Sequence, residues 1–190
     1  MKKFVVCFVA ALLSLPMMAQ ESSTPKAEVF GGYQYLRMGS DTSLGSTGGS
    51  QGFNGWNAAA QLNFNRFMGV EGDFSGTYAT ISGVSTHVYT YTGGPVVFAQ
   101  VGRIKPFAHV LFGGTKLGGS ESGVSISWSG YTTLAGGGVD AKVNKNVGVR
   151  VAQFDWLYYH FGSKNIAGVQ FPSFSGSNNV RISTGLVFGF

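Results

Sequence analysis

The chain has 190 residues and a formal net charge of +5, with 11% charged residues, 14% aromatics and 30 glycines. Soluble domains carry roughly 25% charged residues, so much of this surface is built to face something other than water. No Lys/Arg run supports a nucleic-acid partner, and the single cysteine rules out a disulfide framework.

Met1 to Ala19 reads as a secretory signal. Lys2 and Lys3 precede a short apolar run, Phe4 to Leu15, and Pro16-Met17-Met18-Ala19 leads to a cut before Gln20. The run is too short for a membrane anchor, which needs about 20 apolar residues. Cys7 leaves with it, and the loss of Lys2 and Lys3 lowers the net charge from +5 to +3. Residues 20–26 form a polar tail, and residues 27–190 a single domain.

From there the sequence alternates in face, turns, and alternates again, with no helical period. The first strand spans about Ala27 to Met38, with Val29, Gly31, Tyr33 and Tyr35 on one face and Glu28, Gly32 and Gln34 on the other. Gly39 to Asn54 is a Ser/Thr/Gly loop. The second strand, about Gly55 to Asn65, sets Trp56, Ala58, Ala60, Leu62 and Phe64 against Asn57, Gln61, Asn63 and Asn65. After a turn at Arg66-Phe67, the third strand (Met68 to Ile81) sets Val70, Phe74 and Tyr78 against Glu71, Asp73, Ser75 and Thr77.

The fourth strand, His87 to Gly102, alternates poorly, and Gly93-Gly94-Pro95 predicts a bulge or kink because proline cannot donate a ladder bond. Arg103 to Pro106 turns into a fifth strand, Phe107 to Leu117, followed by a loop over Gly118 to Ser127. The sixth, Trp128 to Val143, places Tyr131, Thr133, Ala135 and Val139 opposite Asp140 and Lys142. The seventh, Val147 to Phe161, contains a conflict. Arg150 and Asp155 both belong on the polar face but differ in parity, which predicts one extra residue near Ala152 or Gln153. A loop over Gly162 to Ser177 precedes the last strand. There Val180, Ile182, Thr184, Leu186, Phe188 and Phe190 share one parity, with Arg181, Ser183, Gly185 and Gly189 on the other.

Eight strands joined alternately by long loops and tight turns (near 66, 104 and 145) predict an all-β, antiparallel up-and-down transmembrane β-barrel with its turns toward the periplasm. A soluble barrel would show the same period with its apolar face inside. Four features favour lipid outside: a polar set rich in Asn, Gln, Ser, Thr and Gly, aromatics toward the strand ends, the export signal, and Phe190 as the last residue.

Ser183-Thr184-Gly185-Leu186-Val187-Phe188-Gly189-Phe190 resembles the C-terminal assembly signal of outer-membrane barrels. Residues 27–190 as a whole resemble the OmpA-like and opacity-protein family of small barrels. The residues that carry this likeness are Glu28 to Tyr33, Gly94-Pro95, Pro106 to His109, Gly136 to Asp140, Arg150 and Asp155. The resemblance implies localisation in the cell outer membrane, contact with outer-membrane lipid, and the barrel assembly machinery as partner during biogenesis. Ser183, Gly185, Phe188 and Phe190 would be the assembly signal. No peptidoglycan-binding segment follows the barrel in the sequence, which argues against cell-wall anchoring.

A barrel of eight strands is filled by side chains. Glu71, Asp73, Asp140, Lys142, Arg150 and Arg181 are the candidates for a lumen charge network, with His109 a further one. Buried charges must pair, so a charge-paired plug is the plain reading and a gated ion path or a proton relay the alternative. Lipid A deacylases of this size need Ser two residues after His, but His87, His109 and His160 are followed there by Tyr89, Leu111 and Gly162. His87, His160 and Asp155 are expected near the outer rim, too few for a rim protease. Three separated histidines make no metal site, and Gly136 to Gly138 precede no helix, so they make no phosphate loop.

The sequence therefore predicts a barrel without enzymatic activity, cofactor or nucleic-acid partner. Its role is structural or surface-facing, with an extracellular ligand or host surface met by loops 39–54, 119–127 and 162–177, and Trp56, Phe171 and Phe174 as loop-side contacts. The alternative is a narrow porin-like channel for small ions or solutes.

Overall fold

The computed structural model describes residues 25–39, 50–81, 84–121, 124–166, 169–171 and 173–190. The signal sequence, most of the polar tail and most of loop 39–54 lie outside them. Ten strands run in order: β1 (Ala27–Met38), β2 (Gln51–Asn63), β3 (Met68–Ile81), β4 (Val84–Phe98), β5 (Ile104–Glu121), β6 (Val124–Lys142), β7 (Val147–Phe161), β8 (Lys164–Ile166), β9 (Val169–Phe171) and β10 (Phe174–Gly189). Eight of them close an antiparallel barrel in the order β1-β10-β7-β6-β5-β4-β3-β2, and β8 pairs with β9 as a separate ribbon.

Alternation makes this sheet, because a side-chain period of two gives each strand an inner and an outer face. On β10, Val180, Ile182, Leu186 and Phe188 are exposed while Arg181, Ser183 and Val187 are buried. The same inversion holds around the ring. Leu62, Val70, Phe74, Val97, Phe112, Phe154 and Trp156 point outward, whereas Glu71, Asp73, His109, Asp140, Arg150 and Arg181 are buried. A closed sheet leaves no edge, so every backbone group in the wall can be paired, as a wall in hydrocarbon requires.

Aromatics form two outer bands. On the loop side, Trp56 Nε1 donates to Tyr78 Oη at 3.4 Å, the Tyr78 and Tyr89 hydroxyls are 3.2 Å apart, and Tyr131 stacks on His160. On the turn side, Phe64, Phe67 and Phe190 are exposed. Phe190 N donates to Ala27 O at 2.8 Å and Lys26 N to Phe190 O at 2.9 Å, so the chain end closes the β1–β10 seam.

The predicted extra residue in the seventh strand is present. Val139 of β6 opposes Ala152 and Asp140 opposes Arg150, so Val151 is the surplus residue. The β10 register shifts at the same place, between Ser183 opposite Gln153 and Gly185 opposite Arg150. Val151 is 59% exposed while Arg150 and Gln153 are buried on either side of the bulge. The bulge thus turns both Arg150 and Asp155 inward.

Three expectations are corrected. The register of β4 runs unbroken on both sides of Gly93-Gly94-Pro95. Pro95 pairs with Val70, and the ladder to β5 skips Gly94 and Pro95, so the missing donor is absorbed by a gap rather than a bulge. Gly118 to Ser127 is not all loop: β5 and β6 stay paired out to Glu121 and Val124, since Gly and Ser do not prevent pairing when the partner strand continues. Within 162–177, β8 and β9 form a ribbon and β10 starts at Phe174.

Candidate functional site

Among the described residues, buried charged side chains converge in the lumen, and sheet register sets them out in rows. Across β5, β6 and β7 the facing residues are Lys105–Asp140–Arg150, then Phe107–Gly138–Gln153, then His109–Gly136–Asp155, then Leu111–Leu134–Leu157. The first three rows occupy the turn-side half and hold the charges; the fourth begins an apolar layer.

The bonds join into one chain. Lys105 pairs with Glu28, and its Nζ lies 3.8 Å from Asp140 Oδ2. Arg150 holds Asp140 with two donors, Nε to Oδ1 at 2.8 Å and Nη2 to Oδ2 at 3.2 Å. The Arg150 guanidinium sits between two rings, 4.3 Å from Phe30 and 4.2 Å from Phe107, a geometry that suits its flat delocalised charge. Its Nη1 donates to Gln153 Oε1 at 2.6 Å, and Gln153 Nε2 donates to Asp155 Oδ2 at 2.7 Å.

Asp155 is the junction. Its Oδ2 also accepts from Arg181 Nε at 2.7 Å, and its Oδ1 faces His109 Nε2 at 2.9 Å. Arg181 then forks onto Asp73, Nη1 to Oδ1 at 2.8 Å and Nη2 to Oδ2 at 3.0 Å, and Asn57 Nδ2 completes Asp73 at 2.8 Å. His109 Nδ1 faces Glu71 Oε1 at 3.1 Å. Carboxylates only accept, so the ring donates to both only as the imidazolium.

Five buried carboxylates (Glu28, Glu71, Asp73, Asp140 and Asp155) therefore meet Lys105, Arg150, Arg181 and His109. The arrangement can hold charge in low dielectric because nearly every ion has more than one partner.

Above it lies an apolar cluster of Leu36, Met38, Phe53, Val88, Leu111, Leu117, Leu134, Leu157, Tyr159 and Phe161, with buried Thr77, Thr132 and Asn179 in the same rows. The apolar residues are all buried and come from six of the eight barrel strands.

The sequence-predicted Glu71, Asp73, Asp140, Arg150 and Arg181 come together here, joined by His109. Lys142 stands apart, half-buried at the turn-side mouth, where it lines a small hollow with Glu28, Lys105 and Asp140. Asp155 is corrected from the rim to the lumen: parity gives a residue's face but not its height, and Asp155 lies six residues before the end of β7. His87 and His160 lie on the loop-side half of the outer wall, beside Tyr89 and Tyr131. Glu28, Lys105 and Gln153 are the members that sequence reasoning missed. Lys105 was hidden because Arg103 to Pro106 reads as a turn, whereas β5 starts at Ile104.

Of the residues expected to form an assembly signal, Ser183 is buried on the lumen face, Gly185 shares its parity, and Phe188 and Phe190 are exposed on the outer wall. Gly138 makes room for Phe107, whose ring carbon would lie 2.9 Å from an added Cβ. Trp56 belongs to the outer aromatic band, and the side chains of Phe171 and Phe174 lie outside the described residues.

A closed eight-stranded antiparallel barrel with an apolar outer wall and paired charges within is the architecture of the small outer-membrane β-barrels. Solved structures of that kind share it. Neisserial surface protein A matches with a TM-score of 0.64 at 13% identity, over 89% of this chain and 100% of that one. Ail, the attachment invasion locus protein of Yersinia pestis, matches at 0.54 and 19% identity, over 88% and 99%. The outer membrane protein OprG from Pseudomonas aeruginosa matches at 0.51 and 10% identity, over 88% and 96%. No protein-family model and no curated protein sequence matches the chain.

Proposed function

We propose that this protein is an outer-membrane barrel, exported by a cleaved signal (residues 1–19), whose work is structural or surface-facing and is done by its extracellular loops. Its turns and both ends of the described chain face the periplasm, and Ser183, Gly185, Phe188 and Phe190 serve as the signal read by the assembly machinery.

The observation that carries this reading is the stacking of the lumen: a layer of paired charges under a layer rich in buried apolar side chains. Such a filling occupies the lumen with side chains, which weighs against the narrow-channel alternative. It also leaves the two rims as the surfaces free to engage a partner.

The loops suggest the partner's chemistry. Ail has been solved with the heparin analogue sucrose octasulfate. A polyanion suits this chain poorly: across 39–54, 119–127 and 162–177 the charged residues are Asp41, Glu121 and Lys164, set among Ser, Thr and Gly. An uncharged glycan or protein surface, met by hydroxyls and backbone amides, fits better.

The test is an epitope tag placed between residues 42 and 49, or beside Lys145, in a Gram-negative host. The first tag should be detected on intact cells and the second only after permeabilisation. The reverse pattern would refute the orientation. Steady single-channel steps in a planar bilayer, abolished by changing Arg150 or Glu71, would restore the channel.

A further inference from the structure

The charged side chains of the described residues fall into three sets. One is the lumen network. A second, at the loop-side rim, includes Arg37 and Lys116 on the outer wall. The third is at the turn-side rim and is entirely cationic.

The barrel order places four strand junctions at that rim: β2–β3, β4–β5, β6–β7 and the β10–β1 seam. Each carries an exposed cation, Arg66, Arg103, Lys145 and Lys26 respectively. The junctions alternate with the loop-side connections, so the four charges are spread around the ring rather than clustered on one side. The acids closest in sequence to Lys26, Arg66 and Lys145, namely Glu28, Glu71 and Asp140, are buried and already face Lys105, His109 and Arg150. Among the described residues no exposed acidic side chain stands at this rim, although Glu28 and Asp140 line the hollow beside Lys145 from within.

Local structure holds the cations outward. Asn65 Oδ1 accepts from Phe67 N at 2.8 Å and Met68 N at 3.0 Å. Asn144 Oδ1 does the same for Asn146 N at 2.9 Å and Val147 N at 2.8 Å. In both turns an asparagine fixes the backbone and the next residue, Arg66 or Lys145, is a cation pushed to the tip. In the third turn, Gly102 takes φ 59° and Gln100 Nε2 donates to Gly102 O at 2.6 Å, with Arg103 following. At the seam, Lys26 is fixed by its backbone bond to Phe190 O.

Their height is set by the apolar residues beside them. Phe64, Phe67, Met68, Val101, Ile104, Val143 and Phe190 are all exposed at the same rim. The Arg66 guanidinium carbon lies 5.0 Å over the Phe67 ring. Side chains of this kind mark the edge of the hydrocarbon, with the cations one step beyond it, at the depth of lipid phosphates.

We infer that Lys26, Arg66, Arg103 and Lys145 form a ring that binds the phosphates of anionic phospholipids in the periplasmic leaflet. This rests on the membrane reading above and deepens it, because it names a lipid class for one rim. The attraction is electrostatic, contributed cation by cation, and weakened by salt.

The test uses the purified full-length mature chain in phosphatidylcholine bilayers containing spin-labelled phosphatidylglycerol or spin-labelled phosphatidylcholine. Electron spin resonance reads the lipid immobilised at the barrel. The wild type should favour phosphatidylglycerol about threefold or more at low salt, and high salt should erase the preference. The combined variant Lys26→Gln, Arg66→Gln, Arg103→Gln and Lys145→Gln should show no preference, while Arg37→Gln with Lys116→Gln should retain it. If the fourfold variant fails to fold, each single variant should show a partial loss.

No preference in the wild type, or a preference that survives all four changes, would overturn the inference. So would retention of the wild type on peptidoglycan sacculi with no lipid preference. Failure of the wild type to insert into bilayers is a separate readout, and it would overturn the membrane reading itself.

Discussion

His109 Nε2 lies 2.9 Å from Asp155 Oδ1, on strands separated by β6, and they meet because the intervening residue is Gly136. A Cβ at that position would stand 2.2 Å from Asp155 Oδ1 and 2.3 Å from Phe154 O. Gly136→Ala should therefore cost about 1–3 kcal/mol by overpacking, read as a lower urea midpoint in detergent micelles. Gly72→Ala, on the outer wall with nothing within 4 Å of its added carbon, should change stability by no more than about 0.5 kcal/mol.

Asp155 and Glu71 should differ in cost although both touch His109. Asp155 also holds Gln153 and Arg181, so Asp155→Ala leaves buried cationic donors unpaired and should cost about 3–5 kcal/mol. Glu71 Oε2 has no hydrogen-bond partner among the described residues. Glu71→Gln removes a half-satisfied charge and should cost about half of that or less. Equal losses in the same unfolding assay would contradict the bonding scheme.

Much of the wall was legible in the sequence because parity is a local property. The closing strand alone assigned Arg181 inward and Ile182 outward, and the parity conflict between Arg150 and Asp155 located the bulge to within a residue. Partnership is not local: Arg181 and Asp73 are 108 residues apart, and no spacing links them. Height was equally hidden, so Asp155 was set at the rim and Lys105 inside a turn. The Gly93-Pro95 break failed as a signal because only one of the two neighbouring strands loses its ladder bonds there.

The bulge makes a prediction of its own. Deleting Ala152 would leave Arg150 and Asp155 four residues apart, so a regular strand would turn both inward with no bulge. With the present spacing and no bulge, Arg150 or Asp155 would instead face lipid, and an arginine facing mid-bilayer costs about 2–4 kcal/mol. The deletion variant should still give a folded, heat-modifiable band in lipid, whereas deleting Phe154, outside the bulge and between Gln153 and Asp155, should lower its yield; loss of the band on deleting Ala152 alone would contradict this account of the bulge.

Phe190 is exposed while its backbone closes the seam. Deleting it should lower the amount assembled in the outer membrane of a Gram-negative host more than it lowers the stability of protein refolded in detergent. Normal assembly in cells without Phe190 would count against its role as a signal.

The central claim is that the apolar wall faces lipid and the charges face inward. Electrophoresis of outer-membrane fractions, heated and unheated, tests it most directly. The protein should fractionate with the outer membrane, and a compact band should appear without heating and shift on boiling. Recovery in the soluble periplasmic or secreted fraction, with no shift on boiling, would contradict it.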